Sequence, residues 1–216
     1  MVTTARAYRE VYAASTENPE TFWLDAAAAI AWATPPLRAL DDSTAPVYRW
    51  FPDAELNTCF NALDRHVLGG LGDTTALIYD SAMTGVKKQF TYNELLHEVS
   101  LFAGVLTAQG VTKGDRVIIY LPMIPEAVIA MLACARIGAV HSVVFGGFAA
   151  NELAVRIDDA QPTVMVTASG GLEPGRTVEY LPIVEKALAL SQGSIRSVIV
   201  KERRHVPGLA ADFASE

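Results

Sequence analysis

The fold is decided by the stretch GDRVIIYLPMIPEAVIAMLACARIGAVHSVVFGG, residues 114–147. Residues 117–120 form a β-branched and aromatic run that is too short for a helix, and two prolines follow it. The next residues predict a helix over 126–137 that ends at Gly138, a common residue type after a helix. The extended run 139–145 then predicts a second strand. The stretch is therefore predicted to be a βαβ unit with two parallel strands.

Two features indicate how this unit is covered. Residues 127–134 of the predicted helix are apolar on every side, so we expect a neighbouring helix to cover it as well as the sheet. Ahead of the unit, Thr91-Tyr92-Asn93-Glu94 is a capping box, and apolar residues follow it at spacings of three and four until Gly110. This pattern predicts an amphipathic helix that leads into the βαβ unit.

The alternation of strands and helices continues on both sides. A hairpin with its turn at 83–85 is predicted before the capping box. After residue 147 the pattern predicts a helix at 151–160, a strand at 163–167, a ten-residue loop at 168–177, a helix containing Leu181, Val184 and Leu188, and a strand at 195–200. Such alternation predicts an α/β fold with a layered, mostly parallel sheet flanked by helices.

The amino-terminal part of the chain has a different pattern. Residues 4–14 and 19–32 predict two short helices, and the proline-rich residues 33–53 predict an irregular arm that is pinned by its aromatic side chains. Residues 56–67 predict a further helix, with one apolar face formed by Leu56, Phe60, Leu63 and Val67.

We therefore divide the chain into an irregular helical and extended amino-terminal arm, 1–67, and an α/β part, 68–216. The last residues, 201–216, carry charges, Pro207 and Gly208 but no clear element.

Composition excludes several classes of function. With 51% hydrophobic and 19% charged residues, the 216-residue chain is predicted to be globular. Its formal net charge of -7 offers no basic surface for nucleic acid or an anionic membrane, and no apolar run approaches the roughly 20 residues needed to span a bilayer. Cys59 and Cys134 lack metal or redox spacing, so we interpret both as packing residues. No apolar signal core follows Met1, and we expect a cytoplasmic protein.

Two glycine-rich loops form the candidate site. The carboxyl ends of parallel strands share one edge of a sheet, where ligands of such folds usually bind. The first loop is Phe145-Gly146-Gly147-Phe148, and the second spans residues 169–176 and ends in Arg176, a residue type suited to phosphate. Together they suggest a nucleotide-like ligand. From composition alone, tight strand-to-helix turns and a surface arginine are at least as good an interpretation.

Other candidates are weaker. His141 lies among apolar strand residues, so we interpret it as a core histidine, and His66 lies beside two charged residues that more often pair than catalyse. Neither a GxGxxG fingerprint opening a helix after a strand nor a GxxxxGK[ST] loop is present, and no GxSxG or Ser-His-Asp set is apparent.

Longer segments carry a family resemblance: WF at 50–51 with LNTCFNALDRHV at 56–67, the whole of 114–148, and ELAVRIDDAQP at 152–162. They closely resemble the amino-terminal part of the short-chain acyl-CoA synthetases, the acetyl- and propionyl-CoA ligases. The similarity covers nearly the whole chain. FAANELAVRIDDAQP and GLEPGRTVEYLP look more like the propionyl-CoA synthetase branch than the acetyl branch.

The resemblance implies an incomplete amino-terminal domain of the acyl-adenylate-forming enzyme fold. It implies a reaction in which a short carboxylate attacks the α-phosphate of Mg-ATP to give an acyl-adenylate and pyrophosphate, after which the thiol of coenzyme A displaces AMP. ATP, Mg²⁺ and coenzyme A are thus implied for the whole enzyme, and at most coenzyme A for this chain. The family's phosphate loop and adenylation lysine match no stretch here, so we expect no catalytic residue in this chain and no activity from it alone.

By the same resemblance, Phe145, Gly146 and Gly147 match the segment that lies against the adenine nucleotide of coenzyme A, and Arg176 matches an arginine that contacts its phosphates. At Glu173 the acetyl-type pattern has a second arginine instead, and an acid there would repel phosphate. Arg176 would then have to act with groups supplied elsewhere.

Two rival interpretations stay open at the level of sequence. A stand-alone, non-catalytic nucleotide-binding or regulatory module would need only the same glycine-rich edge. An assembly element is the other rival, because a sheet without its later neighbours would leave apolar surface for self-association. In the ligase interpretation the partner is the carboxyl-terminal part of the same enzyme, and the acyl group is not determined by these residues.

Overall fold

The structure is a computed structural model in which residues 5–203 are described. The chain divides into two compact units between Asn61 and Ala62. The sequence-based division after residue 67 stays a prediction. Thr4 and residues 204–216, which make up most of the tail without a predicted element, lie outside the described residues.

The helices are α1 (Ala5–Glu17), α2 (Pro19–Ala27), α3 (Tyr92–Ala108), α4 (Pro125–Ile137), α5 (Ala150–Ala160) and α6 (Leu181–Leu190). The strands are β1 (Leu40–Asp41), β2 (Arg49–Trp50), β3 (Thr75–Ser81), β4 (Val86–Thr91), β5 (Arg116–Tyr120), β6 (Val140–Val143), β7 (Val164–Ala168), β8 (Gly170–Glu173), β9 (Arg176–Glu179) and β10 (Ser197–Lys201). Along the described part of the chain, none of the helices has the length and apolar character that a membrane crossing requires.

The first unit contains α1, α2 and an antiparallel ribbon formed by β1 and β2. The edge of Trp23 meets Trp50 with ring centroids 5.5 Å apart, and Trp32 meets Phe51 at 5.4 Å. The carboxylate of Glu20 accepts a hydrogen bond from the backbone N–H of Ala39 at 2.8 Å. The irregular arm is therefore held by its aromatic residues within this unit, as predicted.

A four-stranded sheet organises the second unit. Its order is β10-β7-β5-β6, and every pairing is parallel. In β5, Val117 pairs with His141 of β6 on one side and with Val164 of β7 on the other. The apolar residues 117–120 of this strand are wholly buried. The prediction of a mostly parallel sheet is confirmed.

Helices cover both faces of the sheet. On one face, α5 and α6 pack together, and their buried residues form a core with Ile118, Tyr120 and Met165 of the sheet. On the other face α4 lies against β5 and β6, and α3 packs on α4. A neighbouring helix thus covers the all-apolar helix α4, as its sequence required. The α/β layered architecture is confirmed.

Local signals set the ends of several elements. Gly138 caps α4 with φ 75°, a left-handed conformation that glycine adopts without a Cβ clash. The capping box is present: the Thr91 side chain accepts a hydrogen bond from the Glu94 N–H at 3.2 Å, and the Glu94 carboxylate accepts one from the Thr91 N–H at 2.8 Å. The predicted hairpin forms as β3 and β4, which pair antiparallel.

The helix predicted at 56–67 is present over most of that range, but its predicted apolar face is wrong. The chain is helical over residues 58–71, with π-helical turns at Phe60–Asp64 and Val67–Leu71. Leu63 is buried, but Leu56 and Phe60 are exposed. A π-helical turn contains more residues than an α-helical turn, so apolar residues placed for an α-helix no longer align on one face.

Two further predictions need correction. The loop predicted at 168–177 is an antiparallel hairpin, β8–β9, in which Gly171 pairs with Val178. His141 is exposed, because β6 is an edge strand of the described sheet and lacks a neighbour on its outer side. Both cysteines are buried, and burial raises the pKa of Cys134 to about 12, which fits the packing role that was predicted for them.

Candidate functional site

Two turns lie at the carboxyl edge of the parallel sheet. The turn after β6 is closed by a hydrogen bond from the Phe148 N–H to the Phe145 carbonyl at 3.0 Å. The β8–β9 hairpin begins directly after β7. Since β6 and β7 both run parallel to β5, their carboxyl ends meet at one edge. The predicted placement of both turns at the same edge is confirmed.

Tyr120 ends β5, the strand that lies between β6 and β7. Its side chain is fully buried, and its hydroxyl donates to the carbonyls of Gly146 at 3.3 Å and Phe148 at 3.0 Å. Burial raises the pKa of Tyr120 to about 12, with a further contribution from Tyr180. A neutral phenol in the core therefore holds the backbone of the turn after β6.

Tyr180 stands where β9 meets α6. Its backbone N–H donates to the Ser169 carbonyl at 3.1 Å, and its ring lies 4.9 Å from the ring of Tyr120. Burial raises the pKa of Tyr180, and the Glu173 carboxylate raises it further against the opposing charge of Arg203. The two buried tyrosines form one aromatic layer beneath the site.

Gly146 and Gly171 both border the hydroxyl of Tyr180. A Cβ built on Gly146 would clash with that hydroxyl, and a Cβ built on Gly171 would lie 3.1 Å from it. The structure thus brings the turn after β6 and the base of the β8–β9 hairpin together, but the side chain of Tyr180 fills the gap between Gly146 and Gly171. A ligand at this edge would contact the turns from their outer side.

Phe145 is the aromatic ring that this edge presents to solvent. It is 70% exposed, and Phe148 supports it edge-on with ring centroids 5.6 Å apart. The guanidinium of Arg156 lies 4.4 Å from the centre of the Phe148 ring. At Gly147 a Cβ would clash with the Phe145 ring. An exposed ring that is backed by a second ring is suited to stacking on a nucleobase.

Arg176 lies next to the turn at the far end of the hairpin. Its guanidinium forms a salt bridge with Glu173, with Nη2 2.6 Å and Nε 2.7 Å from the same carboxylate oxygen. Its side chain is 70% exposed. Together with the β3–β4 turn, it lines a shallow depression of about 470 Å³. Glu173, the acid that departs from the family pattern, is therefore the direct salt-bridge partner of Arg176, the predicted phosphate-binding residue.

Sequence reasoning missed a larger groove at the same edge of the sheet, on the α4 side. It has a volume of about 720 Å³ and contains Leu121, Ile124, Val166 and Ile199. Phe145, Gly146, Gly147 and Arg176 do not line it. Its walls come from α3, α4, the β3–β4 hairpin and the sheet, so only tertiary packing reveals it.

Comparison with known proteins identifies the family. The sequence model of the family described as AMP-binding enzyme matches residues 64–213, and the one described as acetyl-coenzyme A synthetase N-terminus matches residues 8–62. The chain belongs to the AMP-binding enzyme family. The resemblance noted from the sequence to the amino-terminal part of short-chain acyl-CoA synthetases is confirmed.

Several known proteins are similar to nearly the whole length of the chain. It is 49% identical over 215 residues to the human protein named acyl-CoA synthetase short-chain family member 3, mitochondrial, covering 97% of the chain and 31% of that relative. It is 46% identical over 198 residues to the acetyl-coenzyme A synthetase of Streptomyces avermitilis, covering 92% and 30%. It is 43% identical over 213 residues to the propionate–CoA ligase of Escherichia coli, covering 96% and 34%.

The chain spans about a third of the length of these curated relatives. Within residues 5–203, no group of three or more His, Cys, Asp and Glu side chains is arranged to hold a metal ion.

Tyr120→Phe keeps the ring but removes the hydroxyl that holds the turn after β6. We expect the free energy of unfolding at pH 7 to fall by about 1–2 kcal/mol, because two carbonyl acceptors lose their donor. In the wild type, unfolded Tyr120 loses its proton near pH 10 and folded Tyr120 near pH 12. The stability that the buried phenol contributes is thus complete below about pH 10 and is lost as the pH rises to about 12.

Urea unfolding followed by circular dichroism, from neutral pH to about pH 11, measures both effects. The exposed Tyr48 provides the control Tyr48→Phe, which should leave the free energy of unfolding at pH 7 unchanged. An identical alkaline profile for Tyr120→Phe and the wild type would contradict the role of this hydroxyl.

Proposed function

We propose that the full protein is an AMP-forming acid–thiol ligase that joins a short carboxylate to coenzyme A through an acyl-adenylate. The observation that carries this proposal is the similarity of nearly the whole chain to proteins named acyl-CoA synthetase, acetyl-coenzyme A synthetase and propionate–CoA ligase. ATP and coenzyme A would be its co-substrates. Bound Mg²⁺ would neutralise the triphosphate during attack by the carboxylate.

The share of this chain in the reaction is binding. We assign it part of the site for the adenine nucleotide of coenzyme A, and no catalytic residue. The exposed ring of Phe145 would stack on the adenine, and Gly146 and Gly147 would let the nucleotide approach the backbone from the outer side of the turn. The remaining carboxyl-terminal part of the enzyme would supply the groups for adenylation.

Arg176 is the proposed phosphate contact. A guanidinium presents several N–H donors to a phosphate, and this one is largely exposed beside an open depression. Glu173 competes with the phosphate for the same donors at 2.6 and 2.7 Å. Since exposed ion pairs contribute little to stability, a phosphate dianion could displace the carboxylate at low cost.

Propionate is the acid that we propose first, with acetate second. The segments FAANELAVRIDDAQP and GLEPGRTVEYLP support propionate, whereas relatives named for acetate and for propionate are about equally similar to the chain. We also propose a reducing location such as the cytoplasm, which the two buried cysteine thiols support.

Calorimetric titration of the chain with coenzyme A tests the site directly. We expect Arg176→Ala to weaken binding about tenfold, the effect of losing one charge-assisted contact. We expect Glu173→Gln to tighten binding, because it frees the guanidinium from its carboxylate partner. Lys186→Ala removes the same charge from an exposed position on α6 and should change nothing.

Each of the two variants at the salt bridge can contradict the proposed phosphate contact. Equal affinity of Arg176→Ala and the wild type would remove Arg176 from the site. Weaker binding by Glu173→Gln would mean that the acid helps to hold the ligand instead of competing with it.

An activity assay tests the ligase itself. The 216-residue chain, incubated with ATP, Mg²⁺, propionate and coenzyme A, should release no pyrophosphate, whereas the full-length protein should form propionyl-CoA faster than acetyl-CoA. Pyrophosphate release by the chain alone would refute the assignment of catalysis to the remainder of the enzyme. Failure of the full-length protein to form either thioester would refute the ligase proposal.

A further inference from the structure

Tyr180 occupies a position that the proposed nucleotide contacts do not explain. It belongs neither to the turn after β6 nor to strand β8, yet its hydroxyl lies close to Gly146 in that turn and to Gly171 in that strand. Its side chain is 5% exposed and lies 4.9 Å from Tyr120, ring to ring. Tyr120 in turn donates to the carbonyls of Gly146 and Phe148. The two tyrosines therefore connect the turn after β6 to the hairpin after β7.

We propose that Tyr180 is a positioning residue of the coenzyme A site: it fills the gap between Gly146 and Gly171 and so sets the spacing between the turn after β6 and the base of the β8–β9 hairpin. The backbone of Tyr180 is fixed by its N–H, which donates to the Ser169 carbonyl at the base of the hairpin. Its ring is fixed by the core formed with α5 and α6. The ring of this rigid side chain, with the hydroxyl at its end, then limits how closely the turn after β6 and the hairpin approach each other.

Gly146 and Gly171 lack a side chain at the points where the Tyr180 side chain lies close to them. At Gly146 a Cβ would meet the Tyr180 hydroxyl first and the ring carbon that carries it next, at 3.1 Å, with the Leu121 carbonyl at 3.4 Å. Removing the Tyr180 hydroxyl would therefore relieve the closest contact of a Cβ at residue 146. Only the tight contacts with the Tyr180 ring carbon and the Leu121 carbonyl would remain. This predicts that residues 146 and 180 are energetically coupled.

A double-mutant cycle with hydrogen exchange, without ligand, tests the coupling. Gly146→Ala should raise amide exchange about tenfold in the segment 143–149. The same substitution in a Tyr180→Phe background should have a much smaller effect, because the clashing hydroxyl is gone. Gly104→Ala on α3, where a Cβ would meet nothing within 4 Å, is the matched control and should leave this exchange unchanged.

Tyr180→Leu tests the spacing itself. It should raise exchange in 143–149 and in 169–179 together, while β5 stays protected, and Tyr180→Phe should retain nearly wild-type exchange because it keeps the ring. A residue that served the core alone would instead increase exchange throughout the sheet. Unchanged exchange at 143–149 in Tyr180→Leu, or an equal effect of Gly146→Ala in both backgrounds, would overturn the proposal.

The inference rests on the proposed coenzyme A function. Coenzyme A titrations of the same variants therefore separate the positioning role of Tyr180 from the proposed binding of coenzyme A. Tyr180→Leu should bind about tenfold more weakly, and Gly146→Ala should regain affinity when combined with Tyr180→Phe. Wild-type affinity in Tyr180→Leu would overturn the role in binding. If the variants show the exchange coupling but the wild-type chain binds no coenzyme A, the proposed function would be overturned and the spacing role of Tyr180 would stay supported.

Discussion

The parallel pairing of β5 with β6 on one side and β7 on the other is the constraint on which the rest of the structure depends. Parallel strands cannot be joined by a short turn, so each pairing requires a crossover, and the intervening helices cover the sheet. The pairing also brings the ends of β6 and β7 to one edge, on either side of Tyr120. Fold and candidate site thus follow from the same backbone hydrogen bonds.

The two buried tyrosines at that edge hold the segments of the candidate site in place. Tyr120 holds the turn after β6 through its hydroxyl, and Tyr180 separates Gly146 from Gly171. The glycines therefore serve the packing of the protein as well as any approach by a ligand. The side chains of Phe145 and Arg176, in contrast, are both largely exposed.

Local chemistry made much of this fold predictable from sequence. The capping box at Thr91, the short β-branched strand β5 and the left-handed Gly138 each determine structure within a few residues. The errors occurred where distant parts of the chain decide the outcome. His141 has the apolar neighbours of a core residue but lies on an edge strand, and the loop after β7 closes into a hairpin. The role of Tyr180 depends on two glycines that lie 34 and 9 residues before it.

The most direct test of the central claim is a nuclear Overhauser measurement on the isotopically labelled chain. If the parallel sheet brings both turns to one edge, the ring protons of Tyr180 will show cross-peaks to the α-protons of Gly146 and of Gly171, as the contacts of its hydroxyl and ring require. Cross-peaks to Gly171 alone, with none to Gly146, would place the two turns apart and contradict both the shared site and the positioning role.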